Sequence, residues 1–298
     1  MGDPLAAVVR FALYSSLGLL FGLSAFGWHG LAGKHRSHWQ RSLRALLIIL
    51  ALVAAVTSVA GLFVMASRMF AVPMHSLDRE ALGTILALPG LGLALLLRAA
   101  ALTLFVGIMM FAPTRLAGPI VTAAVALATL AWFGHAGASE GWLGWLHLGS
   151  TILHLLAAGL WAGALAAFLL LGARSRALPE ARALLVGALG RFHCTGSLVV
   201  GLLLVTGVGN ALLILGMPLN LSSLTTPWAQ LMALKLVAFA AMLGLAALNR
   251  FRFAPALATP GPQSDSHLRH SLRVEFGLAL VILGLVALGC AGCGRRGR

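Results

Sequence analysis

Acidic residues are nearly missing from this chain. Seven Asp and Glu stand against 21 Lys and Arg in 298 residues, and charged side chains of all kinds make up only 9% of the sequence. So little charge over such a length excludes an ordinary soluble domain and a disordered tail alike. Cysteine occurs three times, at Cys194, Cys290 and Cys293, too few for a disulfide framework. Cys290-Ala-Gly-Cys293 has redox spacing but no βαβ context, and reads as incidental. No G-x-x-x-x-G-K-[ST] loop or phosphorylatable Asp motif occurs, so nothing points to ATP-driven work. The net charge of +14 comes without a basic–aromatic platform or nucleic-acid motif, which argues against a nucleic-acid partner.

What is abundant is apolar side chain: 60% of residues, with a mean hydropathy of +0.98. Apolar runs of about 20 residues recur along the whole chain, the length that crosses a bilayer as a helix. They are continuous rather than alternating, which excludes a transmembrane β-barrel. The expected fold is all-α: one polytopic membrane domain over residues 1–298, with lipid around it. Eight spans are expected, at about Leu5–Trp28, Ala45–Ala66, Leu82–Phe111, Gly118–Phe133, Leu146–Leu171, Leu184–Leu215, Trp228–Leu248 and Val274–Leu288. The first run reads as a spanning helix rather than a removed signal. No acid is expected deep in any span.

Charge separates the loops. The first, third, fifth and seventh hold most of the Lys and Arg; the second balances Arg68 and Arg79 with Asp78 and Glu80; the fourth has only Glu140 and the sixth no charge. The positive-inside rule puts the odd loops in the cytoplasm and both termini outside. The basic C-terminal tail, GRRGR, disagrees, but four loops outweigh it.

The stretch Trp132–Leu171 concentrates chemistry. It holds three of the ten histidines and four of the seven tryptophans. His135 precedes a turn; His147, His154 and Trp161 follow it at intervals of seven, which returns to nearly the same helix face. Ionisable side chains inside a span are costly and point to function, although histidines also cap helices or bond across them. Seven residues rise about 10 Å along a helix, whereas a metal–imidazole bond is about 2 Å. His147 and His154 therefore cannot share one ion. The expected arrangement is an outer site at His135 and His147 and a deeper one at His154. Other soft donors gather on the same side: Met65 and Met69 four apart, then Met74 and His75, with Met217 and Met232 beyond. Thioether and imidazole suit Cu(I), and imidazole also suits Cu(II) and Zn, though an isolated Met in an apolar protein is ordinarily packing.

Four further positions stand out. Arg98 and Lys235 are cations within spans and have no acidic neighbour in sequence. They are expected to bond backbone carbonyls or a group such as Asn210, to hold an anion, or to set the charge of a pathway. His193 and Cys194 open the sixth span on the cytoplasmic side, where they offer a soft-metal exit. Adjacent residues diverge by about 100°, however.

The motifs Gly134-His-Ala136, then W-L-H-L-x-x-x-x-L-H-L-L-A-A-G-L-W-A-G-A-L from Trp145, Arg191-Phe192, T-G-V-G-N-A from Thr206, L-T-T-P-W-A-Q-L-M-A-L-K-L from Leu224 and Asn249-Arg250 occur in that order. Together they resemble the CopD/PcoD copper resistance family. The family's domain would cover about residues 184–288, with upstream helices over 5–171. The resemblance implies copper handling at the bacterial inner membrane, movement from periplasm to cytoplasm, a separate periplasmic copper binder of CopC type as partner, and His135, His147 and His154 as ligands. Where the family has Ser after Arg-Phe, this chain has His193. The expected protein is a non-enzymatic copper transporter. Two alternatives stay open: a haem-binding membrane electron carrier, and a copper-binding sensor or assembly factor without transport.

Overall fold

The computed structural model describes residues 3–134, 141–175, 178–215, 227–254 and 262–289. Those residues are helical apart from short connections, and no strand occurs among them. Ten α-helices are described: α1 (Pro4–His29), α2 (His35–Ser42), α3 (Arg44–Phe70), α4 (Arg79–Ala87), α5 (Leu91–Phe111), α6 (Ala117–Ala128), α7 (Gly141–Arg174), α8 (Pro179–Leu215), α9 (Pro227–Leu248) and α10 (Pro262–Gly289). A 3-10 segment, Thr129–Phe133, extends α6, and a π-helical turn, Asn249–Phe253, extends α9. Asp3 starts α1 by accepting the Leu5 amide at 3.0 Å, with Pro4 in the first helical position. Asp78 starts α4 in the same way through Ala81.

Seven of these helical stretches are long and apolar enough to cross a membrane. The fourth expected span forms, but as the 17-residue stretch Ala117–Phe133. At about 1.5 Å per residue it reaches roughly 25 Å, short of a bilayer core of about 30 Å. The third expected span is also corrected. Pro89 and Gly90 split it into α4 and α5, with Leu88 extended before the proline and Gly90 at φ +81°, a conformation open to glycine. The last span begins 12 residues before the expected Val274, at Pro262, because a polar amphiphilic stretch continues the helix.

Side-chain contacts fix the directions. Val9 packs with Val64, so α3 opposes α1. Arg44 reaches the Met110 carbonyl, so α5 opposes α3. Arg98 bonds Thr129, so α6 opposes α5. Phe26 meets Phe168, so α7 runs with α1, and Phe168 meets Phe192, so α8 opposes α7. Gly289, at the end of α10, lies beside Leu231, early in α9, so α10 opposes α9. Direction thus alternates in chain order through α1, α3, α5, α6, α7 and α8, and again between α9 and α10; α6 takes part despite its length.

At the centre α1 and α7 cross backbone to backbone. Gly22 faces Gly159 and Gly163: a Cβ added to Gly22 would lie 2.0 Å from the Gly159 carbonyl oxygen, and one added to Gly163 would lie 2.2 Å from the Gly22 carbonyl carbon. Gly18-x-x-x-Gly22 and Gly159-x-x-x-Gly163 thus form paired small-residue stripes, which draw membrane helices together by close van der Waals contact. Around this crossing α1 also touches α3, α6 and α10, while α7 touches α8 and α10. Outward, Val56, Val59, Leu93 and Leu96 are each more than half exposed, a surface suited to lipid. Trp142 and Trp145 stand about three-quarters exposed at the start of α7, as interfacial tryptophans do.

Gly163→Ala is expected to cost about 1–3 kcal/mol or more, because the backbones must part. Gly18→Ala meets nothing within 4 Å and should leave stability unchanged or slightly raised. Thermal unfolding in detergent distinguishes the two; equal losses would contradict the crossing.

Candidate metal site

The histidine stripe sits on α7 opposite its glycines. At about 100° per residue, His154 and Trp161 lie some 140–180° around the helix from Gly159 and Gly163. One face of α7 therefore grips α1 and the other turns to α8 and α10. His147 is buried, 3% exposed, and engaged by neighbouring groups; Trp161 is 5% exposed. His154 is half-buried, with its ring against Gly207 of α8.

His154 is held by a two-step hydrogen-bond chain. The Thr206 hydroxyl donates to the Leu202 carbonyl, one turn back on α8. A hydroxyl has one proton, so toward His154 Thr206 can only accept, and the bond of 2.9 Å must come from a protonated Nδ1. Nε2 then carries the free lone pair. This is how a supporting hydrogen bond prepares a histidine for a metal. Among the described residues, no three His, Cys, Asp or Glu side chains converge on a common point. The stripe therefore offers single imidazoles along a helix, and His135, expected to complete an outer pair with His147, lies outside the described residues.

Two family models match the chain: the copper resistance protein D-like N-terminal domain over residues 1–145, and copper resistance protein D over residues 186–288. Copper resistance protein D of Pseudomonas syringae pv. tomato is 34% identical over 301 residues, 96% of each chain. The chain belongs to the copper resistance protein D family. A second relative, inner membrane protein YebZ of Escherichia coli (strain K12), is 31% identical over 159 residues, 53% of each chain. No solved structure matches. Membership ties this chain's function to copper and makes it a multi-pass inner-membrane protein.

The other expected donors of this family member are spread out. Met65 and Met69 lie at the end of α3 and line a cavity with Arg10, Arg68 and Arg98. Three guanidiniums beside two thioethers repel a bare cation. No histidine lines that cavity among the described residues. Met74 and His75 sit exposed in the turn after α3. Met232 is on α9, half-buried, while Met217 is outside the described residues, as are Cys290 and Cys293. At the far end His193 meets the guanidinium of Arg250 through Nε2. Arginine only donates, so that nitrogen's lone pair is occupied and His193 is a poor exit ligand as it stands. Arg250 also donates to Ser197 at 2.6 Å. Cys194 is exposed and unbonded.

Of the intramembrane cations, Arg98 finds neutral partners. Arg98, 2% exposed, donates from Nε to Thr129 at 2.8 Å, and its plane covers Phe133 at 4.6 Å. Lys235 is engaged, and its Nζ lies beside Gly289, the last residue of α10, where the helix dipole favours a cation. Asn210 is not the partner of Arg98; its Oδ1 is buried without a hydrogen bond.

Two groups escaped the sequence reading. Glu275 is 2% exposed in α10 and accepts from Asn249 Nδ2 at 2.8 Å. The Trp161 indole is turned toward the same carboxyl group without a formed hydrogen bond. The expectation of no deep acid fails because α10 starts earlier than its apolar run, which moves Glu275 from the helix start to its middle. His29, at the end of α1, packs against Phe26 and Phe192 at 5.6 and 5.7 Å, with both ring nitrogens buried and unbonded. It belongs to an aromatic cluster with Trp39 and Phe168 that closes this end of the bundle.

Thr206→Val should leave the helices packed but free the His154 ring, lowering copper affinity by about 10–100-fold; isothermal titration with Cu(I) held by a competing chelator measures it. Asn249→Leu strands the Glu275 carboxyl and is expected to cost about 1–3 kcal/mol. Adding Glu275→Leu should restore part of that loss in thermal unfolding.

Proposed function

We propose that this protein moves copper ions across the inner membrane, from periplasm toward cytoplasm, with His147 and His154 as successive ligands on α7. Copper is cargo, and no resident cofactor or enzymatic step is required. The observation that supports this most directly is the His154–Thr206–Leu202 hydrogen-bond chain, which puts the lone pair of a half-buried imidazole on Nε2. Family membership supplies the metal. Met74 and His75 are read as the first contacts on the outer face; the Met65–Met69 pair is set aside because three arginines share its cavity.

The reading includes eight passes with both termini periplasmic. It rests on the basic odd loops and on the alternating helix directions, in which the short α6 with its 3-10 extension makes the fourth pass. A small periplasmic copper binder of CopC type, carried on a separate chain, would deliver the ion. His147 and His154 are about 10 Å apart, so transfer needs an intermediate ligand or a helix movement.

Proteoliposomes loaded with a copper indicator test the proposal. The parent protein should retain copper after purification and accumulate it in the lumen. His154→Ala should lose most of both, and His147→Ala should slow uptake more than it lowers content. Full stoichiometry and rate in His154→Ala would end the relay reading. Stoichiometric copper without uptake in the parent protein would leave a copper-binding protein that does not transport.

A further inference from the structure

A cavity of about 530 Å³ opens between α1 and α3 at the end of the bundle where α1 begins. Three arginines line it: Arg10 from α1, Arg68 from α3 and Arg98 from α5. Among the described residues no carboxylate lines it. Arg98 is 2% exposed. Its Nε is bonded to Thr129, and NH1 makes a long contact of 3.5 Å with Ser58, itself a lining residue. NH2 is buried without a partner, and so is NH1 of Arg10. Tyr14 is close enough to Arg98 to interact with it, but offers a phenol rather than a carboxylate.

Two cations with buried, orphaned donors on a cavity lined also by Val9, Leu13 and Leu62 are a costly arrangement unless an anion completes it. Guanidinium is also the side chain least able to escape by losing its proton. Its planar fork matches two oxygens of one anion, and paired arginines on one cavity favour phosphate chemistry. Thioethers do not fill that role, because Met65 and Met69 bring no charge.

We propose that this cavity is a phosphate-group binding site, in which an anionic oxygen pair bridges Arg10 and Arg98. The group comes either from free phosphate or from the headgroup of an anionic phospholipid entering beside α3. The site is independent of copper and of the α7 stripe, so its failure would leave the transport reading untouched.

The test is thermal unfolding of the purified full chain. One arm adds sodium phosphate against sodium chloride at equal ionic strength. The other places the protein in nanodiscs of phosphatidylglycerol against phosphatidylcholine. A rise in melting temperature with phosphate identifies the free anion; a rise with phosphatidylglycerol alone identifies the headgroup. Arg10→Gln should raise the half-saturating concentration of whichever probe acts by at least about tenfold. Arg98→Lys, which keeps the charge and loses the fork, should weaken it in the same direction. If Arg10→Gln does not fold, Arg10→Lys replaces it with the same expectation. The proposal is overturned if neither probe stabilises the parent protein, or if the stabilisation is equal in the arginine variants.

Discussion

The contact of α1 with α7 through bare glycine backbone is the constraint on which the rest of the bundle depends. Lipid provides no hydrophobic drive between helices, so association relies on close packing. Gly22, Gly159 and Gly163 supply it by removing every side chain from the crossing. The consequence for the site follows from helix geometry. Committing one face of α7 to α1 leaves the opposite face, with His154 and Trp161, to meet α8 and α10. The donors are thus oriented inward by a contact in which they take no part. Phe168, a further seven residues along, continues the same face into the aromatic cluster that joins α1, α2, α7 and α8.

Polar groups inside the bundle are handled one at a time. Arg98 goes to the Thr129 hydroxyl, His154 to the Thr206 hydroxyl and Asn249 to the Glu275 carboxyl. Only one of these partners carries an acid. A chain with seven carboxylates cannot neutralise 21 cations by pairing. Hydroxyls and helix ends do part of that work, and water and headgroups serve the loops. Where three guanidiniums share a cavity, hydroxyls no longer suffice. Thr129 and Ser58 occupy two nitrogens of Arg98, and its third remains bare.

Hydropathy made most of the helices legible, since a run of apolar residues must hide its backbone polar groups by forming a helix. It failed where helix and apolar run part company. Pro89 and Gly90 break an apolar run without a polar residue to mark the break. Residues 262–273 form helix without being apolar, and so Glu275 was misplaced. The histidine stripe was legible because seven is a property of one helix. Its support was not, because Thr206 lies 52 positions away in a motif that could be read but not located in space. Nor was the glycine crossing, since two separate G-x-x-x-G patterns carry no address for one another. The soft-donor reading of Met65 and Met69 used their spacing on one helix and the side of the membrane, neither of which shows the arginines that α1 and α5 bring to the same cavity.

The same geometry limits how cargo can move. Backbone contact within 2–3 Å of an added methyl leaves α1 and α7 little freedom to slide. The α7–α8 interface is looser: Gly207 and Gly209 face His154 and Ser150 at ordinary contact distances. The His154 ring is oriented from α8, through Thr206, rather than from its own helix. A shift of α8 relative to α7 would therefore release the ring and change which way Nε2 points, while the α1–α7 pair stayed fixed. If copper passes His154 as proposed, the position of Thr206 would gate its hand-off, with α7 as the stationary helix.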